Sequence, residues 1–174
     1  MKLLENNILR LRAPEPEDLD KLYGWENDVS LWELGNTLSP YSRYAVKQYI
    51  AESKNDIYEH KQLRLIIELK ETGVAIGTID LYDFDPHHRR TGTGIVIDAA
   101  HQRKGYAKNA LKLLIDYAFS FLKIHQLYAY IPVTNTPSLH LFEQCGFETM
   151  GILKDWLFTT NGYTDVRIAG CINR

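Results

Sequence analysis

The chain of 174 residues carries 20 basic and 22 acidic side chains, a formal net charge of -2, and 45% hydrophobic residues. This length and composition are sufficient for one domain with a substantial core. The nearly neutral charge gives no general attraction to phosphate backbones or anionic lipid surfaces. Neither a nucleic acid nor a membrane is therefore the expected partner.

The two cysteines, Cys145 and Cys171, belong to no CxxC motif and to no Cys/His spacing typical of zinc, so no metal is expected. The first 13 residues do not contain the apolar centre of a secretion signal. No apolar run approaches the roughly 18 to 20 residues that a membrane span needs. We expect a cytoplasmic protein with reduced thiols.

The first half of the chain predicts a strand, two helices and an antiparallel meander. Ile8 to Arg12 alternates apolar and basic side chains like a short strand, and Leu19, Leu22 and Tyr23 recur at helical spacing after Pro14. The other predicted elements are a helix at Ala45 to Glu52 and strands at Leu63 to Leu69, Ile76 to Tyr82 and Gly94 to Ile97, the last two joined by the polar segment Asp83 to Arg90.

The second half changes character at Gly105, where apolar residues begin to recur every three or four positions and predict an amphipathic helix to about Phe121. The strand at Leu127 to Ile131 that follows implies a parallel crossover pair. Asn135 and Gly146 have the residue types that bound a helix. The chain then closes with a predicted β-hairpin, with strands at Leu153 to Thr160 and Thr164 to Ile172 around the turn Asn161-Gly162.

The stretch from Ile95 to Ala107 is the most informative, because an apolar strand leads through a polar loop into the start of a helix. The N–H groups at a helix start are unpaired and carry partial positive charge, so they suit a phosphate. Gly105 permits close backbone approach, and Arg103 and Lys104 supply cations. On these residues alone, a tolerant helix start beside a solvated basic loop is an equally good interpretation.

Two other phosphate-binding loops do not match. Gly92-Thr93-Gly94 lacks the third glycine of the dinucleotide fingerprint and leads into a strand instead of a helix. Neither the first glycine nor the Ser or Thr of a GxxxxGK[ST] loop accompanies Lys104 and Gly105. A Rossmann site and a nucleoside triphosphatase site are therefore not expected.

Two motifs resemble those of the GNAT superfamily of N-acetyltransferases. Gln102 to Ala107 is similar to the family's Q/R-x-x-G-x-G/A motif, and Asn135 to Phe147 is similar to its N-x-x-(S/A)-x-x-L-Y-x-x-x-G-F segment. The resemblance covers nearly the whole chain and is closest to the branch with bacterial spermidine/spermine and ribosomal-protein N-acetyltransferases. It implies the α/β GNAT fold, a mixed and mostly antiparallel sheet with helices on both faces.

The resemblance also implies acetyl-CoA as the cofactor. The pantetheine arm is expected at the strand edge Ile95, Val96 and Ile97, where this strand splays from the one near Tyr128 to Ile131. Asn135 can contact the arm through its amide or can simply cap a helix. The remaining cofactor-binding positions that the resemblance implies are Gln102, Arg103, Lys104, Gly105, Tyr106, Ala107, Lys108, Ser138 and Phe142.

The sequence departs from the family pattern at three places. Phe142 stands where many relatives carry a tyrosine that protonates the departing thiolate, so the usual general acid is absent. Gly35 to Pro40 and Gly92 to Gly94 stand near acidic positions of spermidine-type enzymes, which makes a polyamine acceptor doubtful. Cys145 is typical of a buried helix end rather than of a nucleophile, so direct attack by the amine is expected.

The acceptor is expected to be a primary amine of a small molecule or of a protein N-terminus. Asp80 is the predicted general base, because it lies on a predicted strand near the acceptor side, although an outward-facing strand residue explains it equally well. Two alternatives remain open: a polyamine N-acetyltransferase and a non-catalytic acyl-CoA-binding module. The resemblance also allows a homo-oligomer.

Overall fold

The computed structural model describes residues 3–33, 35, 37–53 and 56–174. The strands are β1 (Leu9–Arg12), β2 (Leu63–Leu69), β3 (Ala75–Asp85), β4 (Arg90–Ile97), β5 (Gln126–Pro132), β6 (Glu148–Thr159) and β7 (Gly162–Ile172). The helices are α1 (Leu19–Glu26), α2 (Val29–Trp32), α3 (Arg43–Glu52), α4 (Ile57–His60), α5 (Tyr106–Ser120) and α6 (Thr136–Gln144), with short 3-10 turns at Pro16–Asp18 and Ala99–His101.

The strands form one seven-stranded sheet in the order β1-β2-β3-β4-β5-β7-β6. The β4 and β5 strands are parallel and joined by α5, while the other neighbouring pairs are antiparallel. The predicted crossover pair and the predicted mixed, mostly antiparallel sheet are confirmed. Among the described helices, none is both long and apolar enough to cross a membrane.

Buried side chains lie on both faces of the sheet because strand residues alternate in direction. On one face, Leu111 and Leu114 of α5 belong to the same fully buried cluster as Ile79 of β3. On the other face, Leu22 of α1 packs in a second cluster with Ile66 of β2. The sheet is therefore covered by α5 and α6 on one side and by α1 and α3 on the other.

The hairpin between β3 and β4 differs from the prediction. The segment Asp83 to Arg90 is not a long polar connection, because β3 continues to Asp85 and β4 begins at Arg90. The strand register shifts between Tyr82 and Asp85, and Asp83 has a left-handed φ of 49°. This bulge accommodates polar residues within a continuing ladder, a feature that alternation of side-chain type does not reveal.

Candidate active site

The parallel strands β4 and β5 separate after a short stretch of pairing. Their register pairs are Arg90 with Gln126, Thr91 with Leu127 and Gly92 with Tyr128. Beyond Gly92, β4 pairs only with β3 and β5 only with β7 among the described residues. The two strands thus leave a gap between them, at the position that the family resemblance implies.

The edge of β4 that faces this gap can be identified from the neighbouring hydrogen bonds. The N–H of Asp98 donates to the carbonyl of Ile76 at 2.8 Å, on the β3 side. Because successive backbone groups point to opposite sides of a strand, the backbone groups of Ile95 and Ile97 point toward the gap. The Ile97 carbonyl accepts from Nε2 of Gln102 at 3.0 Å. Backbone groups inside a sheet require partners, so this edge can bind an amide-bearing chain.

The polar loop after β4 ends in an open helix start. Gly105 occupies the N-cap of α5 with a left-handed φ of 78°, and within the described part of the chain no side chain caps the first turn. A Cβ added at Gly105 would meet no atom within 4 Å. Residues 102–105 are exposed. The first turn of this 15-residue helix thus lacks a side-chain cap among the described residues and lies beside an exposed loop, an arrangement that suits a pyrophosphate.

The start of α6 follows the end of β5 as the start of α5 follows the end of β4. Asn135 is the N-cap of α6, and its Oδ1 accepts from the backbone N–H of Ser138 at 3.3 Å. The helix-capping interpretation of Asn135 is therefore correct. The predicted contacts of Asn135 and Ser138 with the cofactor arm stay predictions.

Phe142 lies in the hydrophobic core, with 3% of its surface exposed. Its ring contacts the Phe147 ring edge to face, at a centroid distance of 4.9 Å. The side chain thus has an evident packing role. Its predicted contact with the cofactor stays a prediction, and it offers no proton for catalysis.

On the opposite face of the sheet, the predicted base Asp80 is engaged in an ion pair. Its two carboxylate oxygens accept from Nε and Nη2 of Arg64 at 2.9 and 2.8 Å, while Nη1 of Arg64 donates to Glu26. Burial lowers the pKa of Arg64, but the two carboxylates raise it by more, so the guanidinium stays charged. This bidentate geometry argues against Asp80 as the base, because both oxygens are already bonded to a cation.

A cluster of three tyrosines lies beside the first residues of the gap, and sequence analysis did not single it out. The Tyr82 ring covers Gly92, where an added Cβ would lie 2.2 Å from the ring. Tyr82 contacts Tyr128 at 6.3 Å between centroids, and Tyr128 contacts Tyr130 at 5.6 Å. Burial raises the pKa of the Tyr82 hydroxyl, and the backbone N–H of Tyr130 lowers it in part. The only sequence signal was a glycine on the strand next to a tyrosine-bearing strand.

The segment before α3 reaches the hairpin at the end of the chain. Glu33 accepts from the backbone N–H of Thr160 at 3.2 Å. Trp32 donates through its indole N–H to the Glu26 carbonyl at 2.9 Å. Within the segment Gly35 to Pro40, Asn36 lies outside the described residues. Glu33 is therefore held by the hairpin and has a structural partner.

Comparison with known proteins shows which family has this fold and this site. A family model described as "Acetyltransferase (GNAT) domain" matches residues 9–148. The spermidine N(1)-acetyltransferase of Vibrio cholerae is 29% identical over 162 residues, which cover 93% of this chain and 91% of that protein. The probable N-acetyltransferase YjcK of Bacillus subtilis is 30% identical over 176 residues, which cover 98% and 97%.

Solved structures of enzymes with the same activity as the first of these relatives also match this chain. A crystal structure of spermidine N-acetyltransferase from Vibrio cholerae in complex with CoA and spermine matches with a TM-score of 0.84 and 28% identity, covering 96% of each chain. A dodecameric structure of spermidine N-acetyltransferase from the same organism, in an intermediate state, matches with a TM-score of 0.79 and 28% identity, covering 96% of this chain and 95% of that chain. The similarity therefore includes the whole sheet and both of its helical layers.

Proposed function

This chain belongs to the GNAT family of acetyltransferases and uses acetyl-CoA as its acetyl donor, and on that premise we propose that it acetylates a primary amine by direct attack. The observation that carries the proposal is the gap between β4 and β5, which lies beside an open helix start. Among the described residues, the gap leaves the N–H groups of Ile95 and Ile97 without a strand partner, so they can bind an amide-bearing arm. The helix start supplies N–H groups for a pyrophosphate.

The roles of the residues follow from their order along β4 and α5. The N–H groups of residues 105–108 would hold the pyrophosphate, with Arg103 and Lys104 as cations beside it. The backbone edge at Ile95 and Ile97 would hold the pantetheine amides. The side chain of Gln102 fixes the loop to the end of β4 by its bond to Ile97.

The chemistry requires a neutral amine nitrogen that forms a bond to the thioester carbon while the carbon–sulfur bond breaks. In this proposal the amine proton leaves to water, because Asp80 is engaged with Arg64. The electron pair of the broken bond stays on sulfur as a thiolate. An ordinary thiol has a pKa of about 8.5, so a thiolate is a tolerable leaving group without a tyrosine at position 142.

A polyamine acceptor is the second candidate, and the relatives named as spermidine acetyltransferases favour it. The charges on the predicted acceptor side favour an amine with a single positive charge over a polyamine. Asp80 and Glu26, on the predicted acceptor side, are already paired with Arg64. Gly92 and Gly94 contribute no carboxylate on the same face. We therefore place a simple primary amine ahead of a polyamine.

An amine panel with acetyl-CoA tests the proposal. The panel contains simple monoamines, a peptide with a free N-terminus, spermidine and spermine, and the readouts are thiol release and the mass of the acetylated product. We expect saturable turnover of a monoamine or the peptide, with the polyamines no faster. A strong, saturable polyamine rate would favour the second candidate instead. Binding of acetyl-CoA without thiol release for any amine would favour a non-catalytic acyl-CoA-binding module.

We also propose that the protein self-associates through β6, an edge strand of the sheet. Ile152, Trp156 and Phe158 of this strand are 52%, 58% and 75% exposed. Long edge strands with exposed apolar side chains commonly mark association surfaces. The dodecameric relative supports an oligomer of some kind.

A further inference from the structure

Thr93 carries a buried hydroxyl that has no hydrogen-bond partner in the described part of the chain. Within the described residues, the buried side-chain atoms without a hydrogen bond are Thr93 Oγ1, His101 Nδ1 and Arg167 Nε. His101 Nδ1 nevertheless lies 3.9 Å from a carboxylate oxygen of Asp98, and Arg167 donates through another nitrogen, Nη1, to Glu143 at 2.8 Å. Thr93 is 2% exposed and has no other side-chain polar atom. Because such a group is costly to bury unpaired, it calls for a ligand.

The place of Thr93 points to which part of a ligand would meet it. It directly follows Gly92, the last residue of β4 that pairs with β5. It pairs with the fully buried Leu81, so its side chain points to the face covered by α5 and α6. The proposed arm enters from the loop after Ile97 and runs back along the edge at Ile95. Its thioester end therefore reaches the level of Thr93, an inference that rests on the proposed function.

Thr91 shows that an unpaired hydroxyl is not a general property of this strand. Its side chain lies on the same face two residues earlier and is fully buried. Its hydroxyl donates to the carbonyl of Tyr82 at 2.8 Å. The contrast between two buried threonines on one strand gives a matched pair for experiment.

We propose that the Thr93 hydroxyl donates a hydrogen bond to the sulfur of bound acetyl-CoA and to the thiolate formed when the acetyl group leaves. The threonine keeps its proton, and the thiolate takes one from solvent when it is released. A fixed donor in a water-excluded site stabilises the charge that develops on sulfur. Thr93 thus supplies part of the stabilisation that Phe142 cannot give.

Calorimetry with CoA and with desulfo-CoA, which lacks the sulfur, tests the contact directly. The titrations use wild type, Thr93→Val, Thr93→Ser and Thr91→Val near pH 9, where much of the thiol is ionised. We expect Thr93→Val to weaken CoA binding about tenfold and to leave desulfo-CoA binding unchanged. Thr93→Ser keeps the hydroxyl and should restore the preference for CoA, and Thr91→Val should keep the wild-type preference.

Thermal unfolding without ligand provides a second readout. Thr93→Val removes an unpaired hydroxyl, so Tm should stay the same or rise. Thr91→Val removes a hydroxyl that is hydrogen-bonded to the Tyr82 carbonyl, so Tm should fall by about 2 to 4 °C. In the calorimetry, the sulfur contact would be overturned if Thr93→Val lost affinity equally for CoA and desulfo-CoA, or lost affinity for neither. Failure of the wild type to bind either ligand would instead defeat the proposed function itself.

Discussion

Gly105 and Gly73 have similar backbone conformations, with φ values of 78° and 70°, and a Cβ added at either meets no atom within 4 Å. Gly105 begins α5, whereas Gly73 lies between β2 and β3. We expect Gly105→Asp to weaken acetyl-CoA binding by at least about tenfold, because a carboxylate would face the pyrophosphate. Gly73→Asp carries similar backbone strain and should bind like the wild type in calorimetry. Equal affinities of the two variants would remove the loop from the cofactor site.

The ion pair at Arg64 permits a test of the predicted base. Asp80→Asn and Glu26→Gln each remove one carboxylate from the same guanidinium. We expect both to lower stability similarly, by about 1 to 2 kcal/mol, and to leave kcat values within about threefold of each other. The measurements are denaturant unfolding and kcat for one competent amine. A loss of about 100-fold confined to Asp80→Asn would instead identify Asp80 as the base.

Phe142 and Phe147 form a matched pair of buried rings, each 3% exposed. Phe142→Tyr and Phe147→Tyr should each cost about 1 to 3 kcal/mol of stability if the new hydroxyl stays unpaired. We expect kcat of Phe142→Tyr to change little, because the native site works without an acid there. A rise of tenfold or more in kcat, with a fall in rate as pH nears about 10, would show that the missing tyrosine limits the native enzyme.

At the scale of elements, local signals predicted the starts of the two helices beside the gap. Gly105 marked the start of α5 and Asn135 the start of α6, because helix ends depend on residues within one turn. The partners of Asp80 and Tyr82 were not predictable in the same way. Each depends on the register between strands, and a shift of one residue would point every side chain to the other face. The contacts with Arg64 and Gly92 therefore had to come from the structure.

The two shortest helices were not predicted from the sequence. The four-residue helices α2 and α4 are capped by Asp28 and Asp56, whose side chains accept from first-turn N–H groups. Four residues are too few to display a helical period in the sequence. The caps alone did not distinguish these helices from turns, because aspartate favours both.

An ion pair also connects β1 with the turn before α1. The free energy of unfolding depends on pH because of this pair. Nη1 and Nη2 of Arg12 donate to the carboxylate of Asp18 at 2.7 and 3.0 Å. Burial raises the pKa of Asp18, but Arg12 and the N–H of Glu15 lower it by more, to below its ordinary value of 3.8. A folded-state pKa below the unfolded one gives stabilisation that is complete above the unfolded pKa. That stabilisation is lost as pH falls through the folded pKa.

Asp18→Asn should therefore lower the free energy of unfolding by about 3 kcal/mol at neutral pH and by progressively less in acid. Asp20→Asn is the control, because Asp20 is an exposed partner of Arg43 and should change stability by less than about 1 kcal/mol. Denaturant unfolding at neutral and acid pH measures both. An Asp18→Asn deficit that stays constant down to pH 2 would contradict the role of the carboxylate charge.

At the scale of the whole molecule, the exposed apolar side chains of β6 predict an oligomer. Light scattering after gel filtration should give a mass above that of one chain, and Trp156→Glu with Phe158→Glu should reduce it. Phe121→Glu is the control, because Phe121 is 60% exposed at the end of α5, close to the 58% of Trp156. A monomeric wild type, or equal dissociation by the control, would contradict association through β6.

All of the proposed roles depend on the arm of acetyl-CoA occupying the gap between β4 and β5. Amide hydrogen exchange across residues 93–98, with and without acetyl-CoA, tests this most directly. The N–H groups of Ile95 and Ile97 face the gap and should exchange quickly in the free protein. Saturating acetyl-CoA should slow them at least about tenfold, because each would gain a hydrogen-bond partner. Bound acetyl-CoA that left the exchange of Ile95 and Ile97 unchanged would contradict the account.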